Sequence, residues 1–152
     1  MKNDLSPQKE KILFGDDSII IRKFNGGIPG GRTLDVTDFV GDVIYAGHVI
    51  IKVTDTTKNT VTYKPMPVTP AVAADPNATP AVEAQEAKYG SLPSNGEYVG
   101  ILYRSISKEQ PTAAIMYDGV VNTKLLPYKM TDILTAFKTA VPHIIFEQDE
   151  EA

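Results

Sequence analysis

The stretch at residues 98–121, YVGILYRSISKEQPTAAIMYDGVV, predicts two short β-strands joined by a polar connection. Apolar, β-branched and aromatic side chains surround Gly100 in the first strand, and residues 113–118 alternate between two sets in the second. Because successive side chains of a strand point to opposite faces, this pattern commits one face of a sheet to a core. The connection at residues 107–111 is polar and ends in a proline, which is typical of a turn between neighbouring strands. The core residues predicted from this stretch are Val99, Ile101, Leu102 and Ile115.

The segments that follow complete the predicted core. Residues 130–140 have the apolar periodicity of a short α-helix, and Phe137 lies on the apolar stripe of that helix. A proline ends the helix, and residues 143–146 predict a last short strand. Residues 147–152 are acidic and predict a solvated C-terminal tail.

Two strands and a proline-rich segment precede the opening stretch. Residues 42–53 and 60–65 favour a hairpin-like pair, since threonine and valine suit a pleated surface and the residues between them suit a turn. Residues 67–87, PVTPAVAADPNATPAVEAQEA, contain the near-repeat TPAVAA and TPAVEA. They predict a long surface loop, because proline removes ladder donors and alanine adds little to a core. The sequence therefore predicts a β-rich domain at residues 34–146 that this loop interrupts, either as a partner surface or as a tolerated insertion.

Residues 1–33 predict an N-terminal arm. Its first part is polar, residues 18–24 have the β-branched character of a strand, and residues 25–31 contain four glycines and a proline. A strand between a polar arm and a flexible segment can add to the exposed sheet edge of another protein, but an ordinary strand of the home sheet fits the pattern equally well. In the first interpretation the partner-binding residues are Ile19, Ile20, Ile21, Arg22 and Phe24. The hinge glycines are Gly26, Gly27, Gly30 and Gly31.

Composition excludes several classes of function. The 152 residues, 42% hydrophobic and 22% charged, are typical of one soluble globular domain. The net charge of −4 argues against nucleic acid as a direct partner, because phosphate binding needs a basic face. No apolar run approaches the ~18 residues that cross a bilayer, and the N-terminus has no apolar signal core, so we expect no membrane partner and no secretion. The absence of cysteine suits a reducing cytoplasm.

No residue set has the spacing of a catalytic or metal site. The glycine-rich segment lacks the Gly-Lys-Ser/Thr ending of a phosphate loop. His48 and His143 are far apart in sequence, and structural or surface roles fit them better than metal binding. The spacing of the aspartates at residues 35, 38 and 42 does not match a calcium loop. The sequence therefore predicts that the protein is not an enzyme and carries no cofactor and no metal.

The order of these elements resembles that of the tailed-phage head decoration proteins, the family typified by phage lambda's protein D. The resemblance runs through the Tyr-Val-Gly-Ile-Leu strand at residues 98–102, the strand and turn at residues 114–119, and the helix and last strand. Residues 46–50 and 60–65 are similar to the first hairpin of that family. The match covers residues 34–146. It departs from the family in the long loop and in the strand signal of the N-terminal arm.

The resemblance implies a fold, a function and a location. The fold is a small β-barrel or β-tulip-like domain with one short C-terminal α-helix and an extended N-terminal arm. The function is that of an auxiliary capsid protein, which binds the outer surface of the mature head as a trimer and stabilises contacts between major capsid proteins. Such a protein is made in the host cytoplasm and resides on the outer capsid surface of the virion. The alternatives are a capsid-anchored base for a head fibre or host-surface adhesin and, in another class, a small β-barrel ligand-binding module.

Overall fold

The computed structural model describes residues 17–148 of a chain that is mainly β, with 43% strand and 11% helix. The strands are β1 (Ile21–Gly27), β2 (Arg32–Thr33), β3 (Val43–Ile44), β4 (Val49–Asp55), β5 (Thr60–Pro65), β6 (Val68–Thr69), β7 (Lys88–Tyr89), β8 (Gly96–Leu102), β9 (Ile106–Ser107), β10 (Thr112–Ala113), β11 (Ile115–Asn122) and β12 (Ile144–Glu147). The helices are α1 (Asp17–Ile20) and α2 (Leu134–Ala140), and a 3₁₀ turn covers Thr123–Leu125. The predicted β-rich chain with one short helix near the C-terminus is confirmed.

A six-stranded sheet forms the centre of the domain. Five of its strands follow the order β1-β11-β8-β4-β5, and the sixth, β12, pairs with β11. Strand β11 organises it, because β1 pairs with one edge of β11 while β8 and then β12 share the other edge. Only β12 runs parallel to its neighbour in this sheet. Three two-stranded pairs, β2 with β10, β3 with β9 and β6 with β7, surround the sheet.

The sheet is open, and the barrel that the resemblance implies is wrong for residues 17–148. Strands β1 and β5 lie at opposite ends of the sheet order and do not pair with each other. The outer edge of β5 is partly occupied, since the Asp35 backbone N–H donates to the Tyr63 carbonyl at 2.8 Å. Pro65 at the end of β5 has no N–H with which to extend a ladder. These features end the sheet where a barrel would need it to continue.

The N-terminal strand belongs to the home sheet, which is the second of the two interpretations that the sequence left open. Strand β1 is antiparallel to β11, with Ile21 opposite Val121. Ile20 and Ile21 are only 7% and 5% exposed because they pack in the main core. Burial of two large aliphatic side chains is the physical reason that this segment stays with the domain. Residues 1–16 of the predicted arm lie outside the described residues.

The glycines assigned to a hinge instead form a strand end and a tight turn. Gly26 and Gly27 lie inside β1, and a Cβ on Gly27 would approach the Ile115 carbonyl oxygen to 2.5 Å. Gly30 follows a proline and has a φ of +74°, while the Gly31 N–H donates to the Ile28 carbonyl at 3.1 Å. Proline followed by a glycine of positive φ is the arrangement of a type II turn. The segment therefore turns the chain from β1 into β2 within one domain.

Both faces of the sheet are covered, whereas the sequence pattern predicted a core on one face. Ile101 and Phe137 belong to a cluster on one side, and Leu102 and Ile115 belong to a cluster on the other. These four predicted core residues are confirmed, with 0 to 1% of each exposed. Val99 is half-buried and packs against the edge of the second cluster. Helix α2 covers the first cluster, and the segment between β1 and β3 contributes to the second.

The C-terminal tail begins later than predicted. Glu147 is the last residue of β12 and pairs with Asn122 of β11. The parallel pairing of β12 with β11 begins at Ile144 opposite Gly119 and continues to Glu147. Residues 149–152 of the predicted tail lie outside the described residues.

Candidate interaction surfaces

Three aromatic rings lie around β1: Phe24 on β1 and Tyr117 on β11 are exposed, and Tyr103, which follows β8, is partly buried against the main core. Phe24 is 45% exposed and Tyr117 is 42% exposed, although both side chains are large and apolar in their ring atoms. The Phe24 and Tyr103 ring centroids are 4.6 Å apart. We call Phe24, Tyr103 and Tyr117 the aromatic patch.

Glycines beneath the rings hold the aromatic patch at the surface. A Cβ on Gly26 would lie 3.5 Å from Cε2 of Tyr117, and one on Gly27 would lie 3.1 Å from Cε2 of Phe24. Phe24 also stands opposite Gly119 in the β1–β11 register. Aromatic side chains that cover neighbouring glycines stabilise sheet edges and pin their register. The rings are therefore ordered before any partner arrives.

Charged and polar groups border the aromatic patch. The Arg104 guanidinium lies 5.4 Å from the centroid of the Tyr103 ring, within the range of a cation–π contact. The Asn25 side-chain amide donates to the Asp118 carboxylate at 3.3 Å. Exposed aromatic residues with arginine are the composition that protein interfaces favour. The patch has this composition.

The five residues that the sequence assigned to a partner divide between surface and core. Ile19 is 51% exposed and Phe24 is 45% exposed, so both can contact a partner. Arg22 is partly exposed and forms an ion pair of 3.5 Å with Glu147 of β12. Ile20 and Ile21 are buried and cannot contact a partner unless the junction of α1 and β1 unfolds. Sequence pattern does not place Tyr103 beside Phe24, because their contact depends on strand pairing across some 80 residues.

A second candidate surface is an exposed ribbon that begins at β6 and β7. The predicted loop at residues 67–87 is exposed, as expected, but it is regularly paired rather than irregular. The two strands of the ribbon are antiparallel and keep one register without a bulge, from Val68 opposite Tyr89 to Asp75 opposite Val82. Pairing recurs at every third residue, which is the repeat of the polyproline II conformation. Pro70 falls between the paired residues Thr69 and Val72, and Pro76 and Pro80 lie in the turn beyond the last pair, so their missing N–H groups cost no ladder bond.

The near-repeat gives the ribbon a local two-fold symmetry. Val72 of the first unit exchanges two backbone hydrogen bonds of 2.9 Å with Gln85, the residue that follows the second unit. Val82 of the second unit exchanges bonds of 2.9 and 3.0 Å with Asp75, which follows the first unit. The valine of each unit therefore makes the same pair of backbone hydrogen bonds with the residue that follows the other unit. The two ion pairs from ribbon to body, Lys88 with Asp132 and Lys129 with Glu86, are exposed and contribute little.

A groove runs past Phe39, and we call it the Phe39 groove. It consists of two adjoining cavities of about 270 and 380 Å³ that share Phe39, Val40 and Tyr128. The first cavity reaches Met66 and the base of the ribbon, and the second reaches Tyr45. Val40 is 90% exposed between them. The walls of the first cavity are mostly apolar, whereas those of the second are polar and apolar in about equal parts.

A carboxylate pair stands at the first cavity of this groove. The Lys64 ammonium lies 3.1 Å from Asp35 and 3.6 Å from Asp38. Hydrogen bonds from the Thr37 hydroxyl and backbone N–H, assisted by Lys64, lower the pKa of Asp35 to about 2. The hydrogen bond and charge of Asp35 in turn raise the pKa of Lys64. Two carboxylates share one ammonium here, which leaves this end of the groove negative.

His48 forms the floor between the groove and the core. Its Nε2 lies 3.1 Å from the Met66 carbonyl oxygen, and it is 1% exposed. The rings of Phe39, Tyr89 and Tyr128 stand edge-on around it, with centroids at 5.7, 5.4 and 5.6 Å. Burial lowers the pKa of His48 to about 4, so the imidazole is neutral at pH 7. It is a satisfied structural histidine, the role that sequence reasoning favoured.

The remaining sequence candidates are not assembled into a reactive centre. Among residues 17–148, no group of three or more His, Asp or Glu is placed to hold a metal ion. Ser105 has a structural role, since it donates to the Asp17 carboxylate at 2.6 Å and accepts from the Ala46 N–H at 3.0 Å. None of the helices in this part of the chain has the length and apolar character needed to cross a bilayer.

Comparison with protein-family models, curated proteins and solved structures found no match to this chain.

Proposed function

We propose that the chain is an auxiliary capsid protein of a tailed phage, which binds the outer surface of the mature head and stabilises contacts between major capsid proteins. The proposal places it on the virion as a trimer, with the major capsid protein as its partner. Its support is the resemblance of residues 34–146 to the head decoration family, together with one structural observation. That observation is the aromatic patch, in which Phe24 and Tyr117 are exposed at the β1 end of the sheet.

The aromatic patch supports a binding role because it exposes rings in a fixed geometry. A few buried aromatic and arginine anchors usually dominate the free energy of a protein interface. Rings that are already ordered lose little conformational entropy on binding, so more of the contact energy appears as affinity. A protein that binds only the expanded lattice stabilises that lattice by mass action, and no chemical step is needed.

The mode of contact differs from strand addition by β1. Ile20 and Ile21 are in the core, so β1 stays paired with β11. The exposed side chains here are Phe24 on β1 and Ile19 on α1. In this mode the head-binding determinants are the exposed rings and their charged border. The notion of a strand donated from a flexible tether is not needed.

The test is co-sedimentation with purified expanded heads and with unexpanded procapsids of the encoding phage. The wild-type chain should saturate expanded heads and leave procapsids largely bare. The Phe24→Ala and Tyr117→Ala variants should each bind roughly 30-fold more weakly, which corresponds to the loss of a hot spot of about 2 kcal/mol. Val61→Ala is the matched control, because Val61 is 53% exposed on β5 at the other end of the sheet order.

Two results would reject the proposal. One is an absence of binding to expanded heads by a wild-type chain whose circular dichroism is that of a folded β protein. The other is equal binding by the patch variants and the Val61→Ala control.

The ribbon favours a second candidate, a capsid-anchored base for a head fibre or host-surface adhesin. Residues 70–87 are almost entirely exposed yet keep a regular pairing, which a passive insertion does not need. Replacing them with a short turn separates the two functions. Loss of host adsorption with head binding intact supports the adhesin role, and unchanged adsorption rejects it.

A further inference from the structure

The first cavity of the Phe39 groove is an apolar recess where the ribbon joins the body of the domain. Its volume of about 270 Å³ lies below the roughly 300–1,000 Å³ of sites for drug-sized ligands, so it suits one large apolar side chain. Uncovered apolar surface in a concave site is a feature of a docking surface. Four separate segments of the chain supply its apolar walls, which include Phe39, Val40, Met66, Val68, Ala87 and Tyr128.

Bonds to the rest of the domain hold the walls of this cavity in place. The Phe39 carbonyl accepts from the Lys108 ammonium at 2.7 Å, and the Phe39 N–H donates to the Val36 carbonyl at 3.1 Å. The rings of Phe39 and Tyr128 both stand edge-on against His48, with centroids at 5.7 and 5.6 Å. Because ordered walls lose little conformational entropy on binding, apolar contact made in this cavity contributes directly to affinity.

The charges along the groove determine what accompanies that apolar side chain. The charged side chains that line the two cavities are three aspartates and one lysine, so the groove attracts cations. Both oxygens of Asp35 are engaged, one by the hydroxyl and N–H of Thr37 and the other by Lys64 at 3.1 Å. Asp38 differs, because its side chain is 88% exposed and within the described part of the chain its only ion pair is that of 3.6 Å with Lys64. Asp38 therefore keeps acceptor capacity for a further cation at the mouth of the apolar cavity.

We propose that the Phe39 groove binds an extended segment of a partner protein in which a large apolar residue is adjacent to an arginine. The apolar side chain enters the first cavity, and the guanidinium pairs with Asp38 at its mouth. Arginine suits this place because a planar guanidinium binds a carboxylate and also stacks on aromatic rings such as those that line the groove. The second cavity continues the groove past Val40, and its mixed polar and apolar walls suit the backbone of a passing chain. The inference goes beyond the proposed capsid function and does not depend on it, because the test uses the free chain.

The test is a titration of the isotope-labelled full chain with synthetic peptides, followed by heteronuclear NMR. The probe is acetyl-Gly-Leu-Arg-Gly-amide, and two control peptides replace its arginine by glutamate or its leucine by serine. The probe should bind with a Kd of about 1 mM. The serine peptide should bind at least about tenfold more weakly because it buries no apolar side chain, and the glutamate peptide about fivefold more weakly because an exposed ion pair contributes little. The signals that should shift are the backbone amides of Phe39, Val40, Met66 and Val68.

A charge exchange at Asp38 separates specific recognition from a general effect of charge. Asp38→Lys should reverse the preference, so that the glutamate peptide binds about fivefold more tightly than the arginine peptide. Because the Asp38 side chain is largely exposed, the substitution leaves the core intact, which circular dichroism checks. Glu97→Lys is the matched control, since Glu97 is another exposed carboxylate paired with a lysine but lies on β8 and lines neither cavity. This control should keep the wild-type order of the peptides.

Four results would overturn the proposal. One is the absence of shifts in the groove at about ten times the expected Kd of the probe. Another is equal affinity of the arginine and glutamate peptides, which would mean apolar binding without recognition of charge. Binding of isopentylguanidine as tightly as the probe would assign the groove to a small cation instead of a protein segment. Shifts of the same amide signals when the free chain is diluted would assign the groove to a second copy.

Discussion

Acid should destabilise this protein through one buried histidine. His48 is buried and enclosed by three aromatic rings. Burial lowers its pKa to about 4 from the ordinary 6.5, because the charged imidazolium would lose its hydration. Between pH 4 and pH 6.5, His48 is protonated in the unfolded chain and neutral in the folded chain. The free energy of unfolding is therefore complete above pH 6.5 and falls as the pH decreases towards 4. A pKa difference of this size corresponds to about 3 kcal/mol.

The assay is urea unfolding followed by far-ultraviolet circular dichroism at half-unit steps between pH 7.5 and 4. His48→Gln is the comparison, because glutamine does not titrate and its amide can still donate to the Met66 carbonyl. The wild-type chain should lose about 3 kcal/mol more than the variant over this interval. Asp35 does not interfere with this measurement. Hydrogen bonds lower its pKa to about 2, so its contribution to the free energy of unfolding is lost only below the ordinary carboxyl pKa of 3.8. Parallel pH profiles for the two proteins would refute the reasoning.

Two further substitutions test the packing on which the surfaces depend. Gly27→Ala should destabilise the fold by about 1–3 kcal/mol in urea unfolding, because its Cβ would meet the Ile115 carbonyl oxygen at 2.5 Å. Gly26→Ala is its matched control, with the nearest atom of Tyr117 at 3.5 Å, and equal costs for the two would contradict the explanation. Tyr89→Phe should cost about 1–3 kcal/mol in the same assay, because it leaves the buried Val49 N–H without the hydroxyl that accepts it at 3.0 Å. A neutral effect would mean that this bond contributes nothing.

The core was predictable from local pattern because each of its parts has a strong local signal. Ile101, Leu102 and Ile115 lie in short apolar runs, and Phe137 lies on a helical stripe, so burial follows from period and composition alone. The extent of burial was not predictable. A central strand with both faces covered reads as a continuous apolar run, and the sequence cannot say what packs against its second face.

The N-terminal strand shows where local pattern fails. Residues 18–24 have β propensity, but residues 18–20 belong to α1, and propensity does not identify the strand with which the rest pairs. Its partner, β11, is about 95 residues away, and the pairing register contains irregularities that no sequence motif announces. The aromatic patch inherits the same problem, because the Tyr117 ring comes to lie over Gly26 of β1 only through that pairing.

The ribbon shows a different limit. Proline and alanine argued correctly against an ordinary sheet, because proline cannot donate a ladder bond. The near-repeat nevertheless contained usable information, since Val72 and Val82 occupy equivalent places in a local two-fold arrangement. Bonds at every third residue let prolines occupy the intervening positions.

The energetics of β1 decide how the domain can meet a partner. To donate this strand, the protein would first expose Ile20 and Ile21, at about 1.5–3 kcal/mol for each side chain, and break the β1–β11 hydrogen bonds. A partner strand would have to offset at least about 3–6 kcal/mol before any net affinity appeared. Contact through Phe24 and Tyr117 incurs none of this cost, because glycines beneath their rings already hold them at the surface. The glycines that sequence pattern assigned to a hinge thus favour the opposite mechanism, in which a rigid sheet edge binds through ordered side chains.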